Sequence, residues 1–537
     1  MTDKRQQGRH IFSGMIRIAS GTMLSRVAGF SLMLVIADYY GATRDADVFA
    51  LAFWLANLFR MVVGERALES AFLPTFKGLL AQGKHRDAWQ LGCSVFHLVL
   101  ISSVVLGVLL AICAPHIMKV LGYGFSPEEK TVAVSMARLI MPFLVLIALA
   151  AFFGTLLLAF ERYTWYGLAP AMFGIGAITG IFLLYEPLRA QGCAVYALAG
   201  GVLLGGFLQL IVQVPVIFSR KIRLETVPSY HLSLATNMPE LRQVGWLLVP
   251  ILASALIEKL GAMVDRSLAS GLVEGSVAAL WYAFRVVSLP FALVGLGLGR
   301  SALPLLSEKA AKNDLEGFGR AVFITLKFST LLLIPATAVA VVVRVPLVKM
   351  LFQRGNFTEE GVRLTTLALW CYAVGLVPMA WVSNLSRAFH ALKDTRTPLV
   401  ASAIGLMLNV ILNFILVRTS LRVGGLALAT SISMAVTAGL MLWLLAKKLK
   451  NRGISLELGG HESWWICTVA STTTAFGVGY AVRWLVFGWI TGDGMWYSSL
   501  RFLLPALGVL AAYAVSAVIQ GLTREALPGL TKGHQAR

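Results

Sequence analysis

Apolar runs of about 20 residues recur along almost the whole chain, and no other feature restricts its fold as tightly. A helix rises about 1.5 Å per residue, so about 20 mostly apolar residues are needed to cross a bilayer. About fourteen such runs are present, centred near residues 26, 60, 105, 146, 174, 205, 255, 291, 333, 376, 407, 435, 475 and 511. Charged residues are 13% of the 537, about half the share usual in a soluble protein. The chain therefore reads as an all-α polytopic membrane protein. No connection between runs is long enough for a soluble domain. The longest, near 219–239 and 345–362, hold a short interfacial helix at most.

The formal charge of +20 does not point to nucleic acid, because the basic residues lie scattered in short connections. Lys and Arg collect on the cytoplasmic side of membrane proteins. With the N-terminus inside, roughly 23 basic residues fall on the cytoplasmic side and roughly 10 outside. Attraction to anionic lipid headgroups would add to this bias. The opening "MTDKRQQGRH" is polar and basic, with no small-residue cleavage site after it. It reads as a cytoplasmic tail over 1–11, and an even number of spans returns the tail at 522–537 to the same side. The five cysteines are spaced too widely for a metal motif, and no disulfide follows from them.

The chain also repeats itself. "ALESAFLPTFKGLLAQGK" (67–84) and "GLGRSALPLLSEKAAKND" (297–314) each carry a proline, Pro74 or Pro304, followed by a basic amphipathic segment. "LLAFERYTWYGLAP" (157–170) and "SRAFHALKDTRTP" (386–398) each pair Ala-Phe with a polar turn and a proline. Six spans separate the members of each pair, so the two halves share an orientation. This gives an N-lobe over 12–220, a cytoplasmic linker over 221–239, a C-lobe over 240–450 and an appended helix pair over 451–521. Gly29, Pro142, Pro250 and Pro290 are places where helices could bend.

Charges inside the apolar runs are the candidates for function, since a mid-membrane Arg, Lys or Asp costs about 2.5–3.5 kcal/mol on insertion scales. Arg17, Arg300 and Lys327 lie near expected cytoplasmic ends, where long side chains snorkel to the interface. Glu65 and Glu69 share a helical face and Arg66 reaches Glu69. These three either neutralise one another or line a cavity. Arg26, Arg60 and Arg285 lie deeper with no carboxylate nearby in sequence, and their planar guanidiniums suit phosphate oxygens. "GLLAQGKH" (78–85) is one residue short of a phosphate-binding loop and follows a span rather than a strand. Asn409 and Asn413 share one face of a span, as helix-joining amides or as cation ligands. No motif points to catalysis; binding and moving a substrate is the class that remains.

"SRVAGF" (25–30), "DADVFALAFWLANLFRMVVGERALESAFLP" (45–74), "GGFLQLIVQVP" (205–215) and "VDRSLASGLVEGSVAALWYAFRVVSLP" (264–290) resemble the MurJ (MviN-type) lipid II flippases. These belong to the multidrug/oligosaccharidyl-lipid/polysaccharide exporter superfamily. The likeness runs from about residue 12 to 450, and the chain reproduces the family's count of fourteen spans. It implies two six-helix lobes around a central cavity, with a final helix pair forming a groove for a lipid tail. It also implies an undecaprenyl-pyrophosphate-linked peptidoglycan precursor as substrate, in the bacterial inner membrane. Arg26, Arg60 and Arg285 match the family's cavity arginines. Asp47 and Glu65 match its recurrent acids, with Glu69 and Arg66 beside them as cavity or gate residues.

The match has gaps. Leu32 and Met33 stand where the family commonly has Arg and an acid, Met61 replaces one of an arginine pair, Arg66 replaces a common glycine, and Phe284 replaces an acidic or polar residue. Where members hold sodium, the corresponding residues here are Asp265, Asn409, Asn413 and Thr430. No other cofactor is expected. The expected partners are lipid II or a related polyprenyl-pyrophosphate glycolipid, membrane lipids and cell-wall synthesis proteins, without nucleic acid. The rival readings are a flippase for another polyprenyl-linked saccharide, a drug/cation antiporter of the same superfamily, and a non-transporting scaffold for cell-wall synthesis. The antiporter predicts a cavity dominated by carboxylates, whereas the deep charges here lean basic.

Overall fold

The computed structural model describes residues 2–59, 65–217, 261–452, 462–490 and 495–520. Every regular element among them is a helix. The chain divides into two compact units, residues 1–277 and 278–537. The first holds α1 (Thr2–Tyr40), α2 (Arg44–Phe59), α3 (Glu65–Ala81), α4 (His85–Leu121), α5 (Pro127–Ile140), α6 (Pro142–Ala159), α7 (Tyr163–Arg189), α8 (Tyr196–Ile211) and the short α9 (Val214–Ile217). A helical stretch over 261–270 follows. Helix α10 (Ser276–Pro290) crosses into the second unit. That unit continues with a π-helical turn (Phe291–Gly295), α11 (Leu296–Ala311), α12 (Leu315–Val342), α13 (Arg344–Phe352), α14 (Glu359–Val374), α15 (Leu376–Ala391), α16 (Arg396–Leu416), α17 (Val423–Lys450), α18 (Glu462–Trp489) and α19 (Met495–Ile519).

Ten helical stretches are long and apolar enough to cross a membrane, and the bent pair α14 and α15 makes an eleventh. Of the other expected spans, the one near residue 60 is represented by α2 and α3 on either side of the undescribed 60–64, the one near 255 falls largely outside the described residues, and α18, near 475, is not among the ten. Several bends sit where the backbone demands them. Pro142 opens α6 directly after α5, with Met141 as the joint. Pro290 precedes the π-helical turn, as expected where a proline removes a helix hydrogen bond. The largest of these bends, 46°, lies at Gly375 between α14 and α15. Gly29 lies inside an uninterrupted α1, and Pro250 is outside the described residues.

Close backbone approach explains part of the glycine content. Helix α7 packs on α8 with Gly176 against Gly205 and Gly180 against Gly201. A methyl group on Gly180 would lie 2.7 Å from the Gly201 Cα, too close for any side chain. Small residues serve this way where helices meet without a hydrophobic drive between them. Gln209 and Gln213, from the run "GGFLQLIVQVP", are both buried, and Gln213 Nε2 donates to the Gln209 carbonyl at 2.9 Å.

The repeat seen in sequence reappears as matching turns. Gly83 and Asn313 adopt left-handed backbone (φ 72° and 54°), and so do Glu161 and Lys393 (φ 60° and 58°). In each case the following residue's N–H reaches back to close the helix: Lys84 to Leu79, Asp314 to Lys309, Arg162 to Leu157 and Asp394 to Phe389, at 2.8–3.0 Å. This is the Schellman arrangement, which satisfies the last carbonyls of a helix. The helix starts match as well. Ser126 caps α5 by accepting from Glu129 N–H, and Thr358 caps α14 by accepting from Gly361 N–H, each at 3.2 Å. Each half has its own core. Phe72, Phe76, Leu91 and Phe152 join α3, α4 and α6; Phe318, Leu326, Phe389 and Met441 join α12, α15 and α17. The α18–α19 pair packs on α12 through Val342, Trp464, Ala475 and Val509.

Asp394 clamps the turn between α15 and α16 to the end of α17. Its carboxylate accepts from Lys448 Nζ at 2.6 Å and from the backbone and hydroxyl of Thr397 at 3.0 and 2.8 Å. Burial pushes the carboxyl up, but these hydrogen bonds outweigh it and bring the pKa from 3.8 down to about 2. A carboxyl lowered on folding stabilises above its unfolded pKa and loses that contribution as pH falls through the folded one. Asp394→Asn should therefore lower stability by about 1 kcal/mol at neutral pH, with screening counted. Thermal unfolding in detergent should show the gap between the two proteins closing between about pH 4 and pH 2. A gap that persists at the acid end would contradict the clamp.

Lys327 corrects an expectation. It does not snorkel: it lies about 18 Å along α12 from Leu315 and is 2% exposed. Its ammonium sits 5.0 Å from the Phe323 ring centroid and 4.9 Å from that of Trp464. Aromatic faces attract a cation in a desolvated place, and Trp464 is supplied by α18, distant in sequence. The side chains of Arg17 and Arg300 are outside the description.

Candidate functional site

Three connections of the first unit meet at one end of its helices: 41–47, 122–129 and 271–275. Asp47 is fully buried there, in the first turn of α2. Its Oδ2 accepts the Gly275 N–H at 2.8 Å and lies 3.5 Å from Arg44 Nη1. Arg44 makes an ion pair with Glu129 at 3.0 Å, and its own N–H donates to Glu274 Oε1 at 2.8 Å. The Arg44 guanidinium also lies over the Phe125 ring, 5.1 Å from its centroid. Ser267 Oγ donates to the Val120 carbonyl at 2.6 Å. The 267–277 stretch is thereby fastened to the start of α2 and the end of α4.

Gly275 is required at its position for two reasons. Its φ of +81° is in the left-handed region, and an added Cβ would collide with the Ala42 carbonyl. Only a glycine lets the backbone N–H come this close to a carboxylate on the neighbouring helix. Sequence reasoning singled out Asp47 but not Arg44, Glu129, Glu274 or Gly275. The signal was faint: an acid and a glycine in adjacent positions, "EG", immediately before a helix.

The three arginines stand differently. Arg26 is half-buried in α1, where desolvation makes an anion in reach of its guanidinium favourable. Arg285, in α10 of the second unit, is exposed. Arg60 lies outside the described residues. Glu65, Arg66 and Glu69 occupy the first turns of α3, so their helical spacing holds, but their side chains are outside the description.

Of the four residues matched to a sodium site, three come together in the second unit. Asn413 Nδ2 donates to Asn409 Oδ1 at 3.1 Å, and Asn409 Nδ2 donates to Thr430 Oγ1 at 3.3 Å, joining α16 to α17. Asn409 and Asn413 are 6% and 0% exposed. These are neutral, hard oxygen donors, the kind a small alkali cation accepts, and the mutual bonding also fastens the two helices. Asp265, the acid of the set, is 8% exposed in the first unit. Arg266 beside it lies over the Trp54 ring at 5.3 Å and donates to the Ala262 carbonyl at 3.0 Å. Among the described residues no group of three or more His, Cys, Asp and Glu is placed to hold a metal.

Comparison with known proteins covers nearly the whole chain. The family model described as "Lipid II flippase MurJ" matches residues 36–503, so the likeness reaches past residue 450 into the α18–α19 pair. A lipid II flippase MurJ of Burkholderia cenocepacia is 28% identical over 448 residues, 83% of this chain and 85% of that protein. A probable lipid II flippase MurJ of Rickettsia prowazekii is 25% identical over 451 residues, 84% and 86% of the two chains. A structure of a lipid II flippase MurJ in an inward closed conformation superposes with a TM-score of 0.73 at 22% identity, covering 94% of this chain and 99% of that one. An inward-facing multidrug resistance transporter of the MATE family superposes with a TM-score of 0.66 at 16% identity, covering 82% and 98%. These two structural likenesses show the fold alone.

Proposed function

The chain belongs to the lipid II flippase MurJ family, and from that premise we propose that it moves lipid II from the inner to the outer leaflet by alternating access. The observation that carries this reading is the family match over residues 36–503, which spans both units. The process breaks and forms no covalent bond, so the protein acts as a transporter rather than an enzyme. The membrane is the bacterial inner membrane, with both termini on its cytoplasmic side.

In this reading Arg26, Arg60 and Arg285 each offer a guanidinium to the pyrophosphate, whose charge cannot cross a low-dielectric layer unpaired. The polyprenyl tail stays in lipid beside α18 and α19, where Ile466, Val469, Leu507 and Val518 present exposed apolar surface. Asp47, Arg44, Glu129 and Glu274 form a latch that closes the outer end of the first unit over the 267–277 stretch. A hydrogen bond to a charged group contributes about 1.5–3 kcal/mol. A latch of two or three therefore amounts to about 3–9 kcal/mol, which brackets the 5.5 kcal/mol or so that swings a two-state equilibrium from one side to the other. Substrate binding could then release it.

The test is replacement: bacteria depleted of their own lipid II flippase should survive and keep their shape when this chain is supplied. Lysis despite normal insertion of the chain would contradict the reading. Sodium coupling is a separate proposal, resting on Asn409, Asn413 and Thr430, which come together in the second unit. It predicts that replacing sodium with potassium at fixed membrane potential slows transport several-fold. An unchanged rate removes sodium from the mechanism and leaves the amides as helix-joining groups.

A further inference from the structure

A cleft of about 380 Å³ opens between α13 and α14, at the end of the second unit where α12 gives way to α13. Arg344, Lys349, Glu359, Arg363, Thr366 and Trp370 are among its lining residues. Two of its three cations are already paired. Lys349 meets Glu359 at 2.8 Å, and Arg363 holds Glu360 through two bonds of 2.6 and 2.8 Å. Among the described residues Arg344 has no carboxylate partner; it donates to the Val341 carbonyl at 3.0 Å. The cleft therefore carries a surplus positive charge, and that charge is Arg344.

Thr366 makes the second observation. It lines the cleft, is 7% exposed, and its hydroxyl has no hydrogen-bond partner. Helical threonines in this chain ordinarily donate to the carbonyl four residues back, as Thr330 does to Leu326 at 2.8 Å and Thr437 does to Ser433 at 2.7 Å. Leaving a buried hydroxyl unsatisfied is costly, and an acceptor placed in the cleft would remove that cost.

We propose that this cleft binds the phosphate-bearing headgroup of an anionic phospholipid, with the Arg344 guanidinium and the Thr366 hydroxyl on the phosphoryl oxygens. Arg suits such a group because its donors match pairs of oxygens. The depth in the membrane fits a lipid rather than a free anion. Arg483 donates to the Val342 carbonyl at 2.8 Å, fixing the C-terminal part of α18 to the end of α12. That end carries Trp489 and Trp496, 87% and 80% exposed. Exposed Trp residues gather at the headgroup level of a bilayer, so the cleft opens where lipid headgroups lie. The volume also falls in the range of ligand clefts and is generous for a bare phosphate ion. The site uses none of the residues assigned to lipid II, so the proposal stands or falls independently of that reading.

The test uses the full chain, stripped of lipid in detergent, with binding followed by native mass spectrometry. The probes are phosphatidylglycerol, phosphatidylcholine with the same acyl chains, and inorganic phosphate. Phosphatidylglycerol should bind about tenfold more tightly than phosphatidylcholine. Arg344→Gln should lose that preference, and Thr366→Val should reduce it several-fold without lowering the melting temperature. Equal binding of the two lipids overturns the proposal. Displacement of phosphatidylglycerol by inorganic phosphate at similar concentration also overturns it, by assigning the cleft to a free anion. Wild-type lipid preference in Thr366→Val overturns it too, however Arg344→Gln behaves.

Discussion

Alanine in place of Arg26, Arg60 or Arg285 abolishes lipid II export while leaving the protein inserted in the membrane. The expectation follows from the cost of an unpaired pyrophosphate away from water. Truncating one partner of a buried charge pair costs about 2–5 kcal/mol, which for the half-buried Arg26 corresponds to a loss of about 30-fold to several thousand-fold, with exposed Arg285 at the low end. Lysine in place of each arginine should restore only part of the loss, because an ammonium keeps the charge but not the paired donors. Exposure of labelled lipid II at the outer face, normalised to the amount of inserted protein, measures the effect. Normal export by Arg26→Ala and Arg285→Ala would remove both from the substrate path. Arg26 carries the firmer structural argument, since it is half-buried in α1, whereas Arg285 is exposed. Arg60 rests on its place in the family motif alone.

Gly275→Ala should hold the outer end of the first unit open and reduce export more than tenfold. Alanine in the left-handed region costs about 1–2 kcal/mol, and its methyl group would collide with the Ala42 carbonyl. The backbone at 275 must then move away from Asp47, breaking the 2.8 Å bond. Asp47→Ala should act in the same direction by leaving the Gly275 N–H without its acceptor, at about 1–3 kcal/mol. Ser270, 0% exposed in the closed arrangement, supplies the reporter. In a chain whose five native cysteines are replaced, Ser270→Cys should resist an impermeant thiol reagent added from outside. Adding Gly275→Ala or Asp47→Ala should make it reactive. Equal protection in all three proteins would mean that these contacts do not close the outer end.

Most of the spans were legible, ten of them with an eleventh in the bent pair, because hydropathy over about 20 residues is a property of sequence alone. The repeat was legible for the same kind of reason: Pro74 and Pro304, and the Ala-Phe turns, are local punctuation, and the structure shows Gly83 with Asn313 and Glu161 with Lys393 in matching turns. Lys327 was misread because its depth was judged from the run it sits in. What holds it is Trp464, far along the chain, and no local pattern announces that contact. The latch was half legible. Asp47 was singled out only by the family motif it matches, and its partner is a backbone N–H, which every residue except proline carries. Arg344 and Thr366 went unnoticed because each is ordinary in sequence. They become informative only in the fold, where Lys349 and Arg363 are paired, Arg344 meets no carboxylate among the described residues, and the Thr366 hydroxyl lines the cleft without a partner.

The most direct test of the central claim is the amount of labelled lipid II reaching the outer face of the inner membrane in bacteria depleted of their own flippase and supplied with this chain. Export restored to the level given by the native flippase is the predicted result, and it would show that the family charges absent at Leu32, Met33, Met61 and Phe284 are dispensable. No lipid II at the outer face, with the chain folded and inserted, would contradict the account and turn attention to another polyprenyl-linked saccharide as cargo.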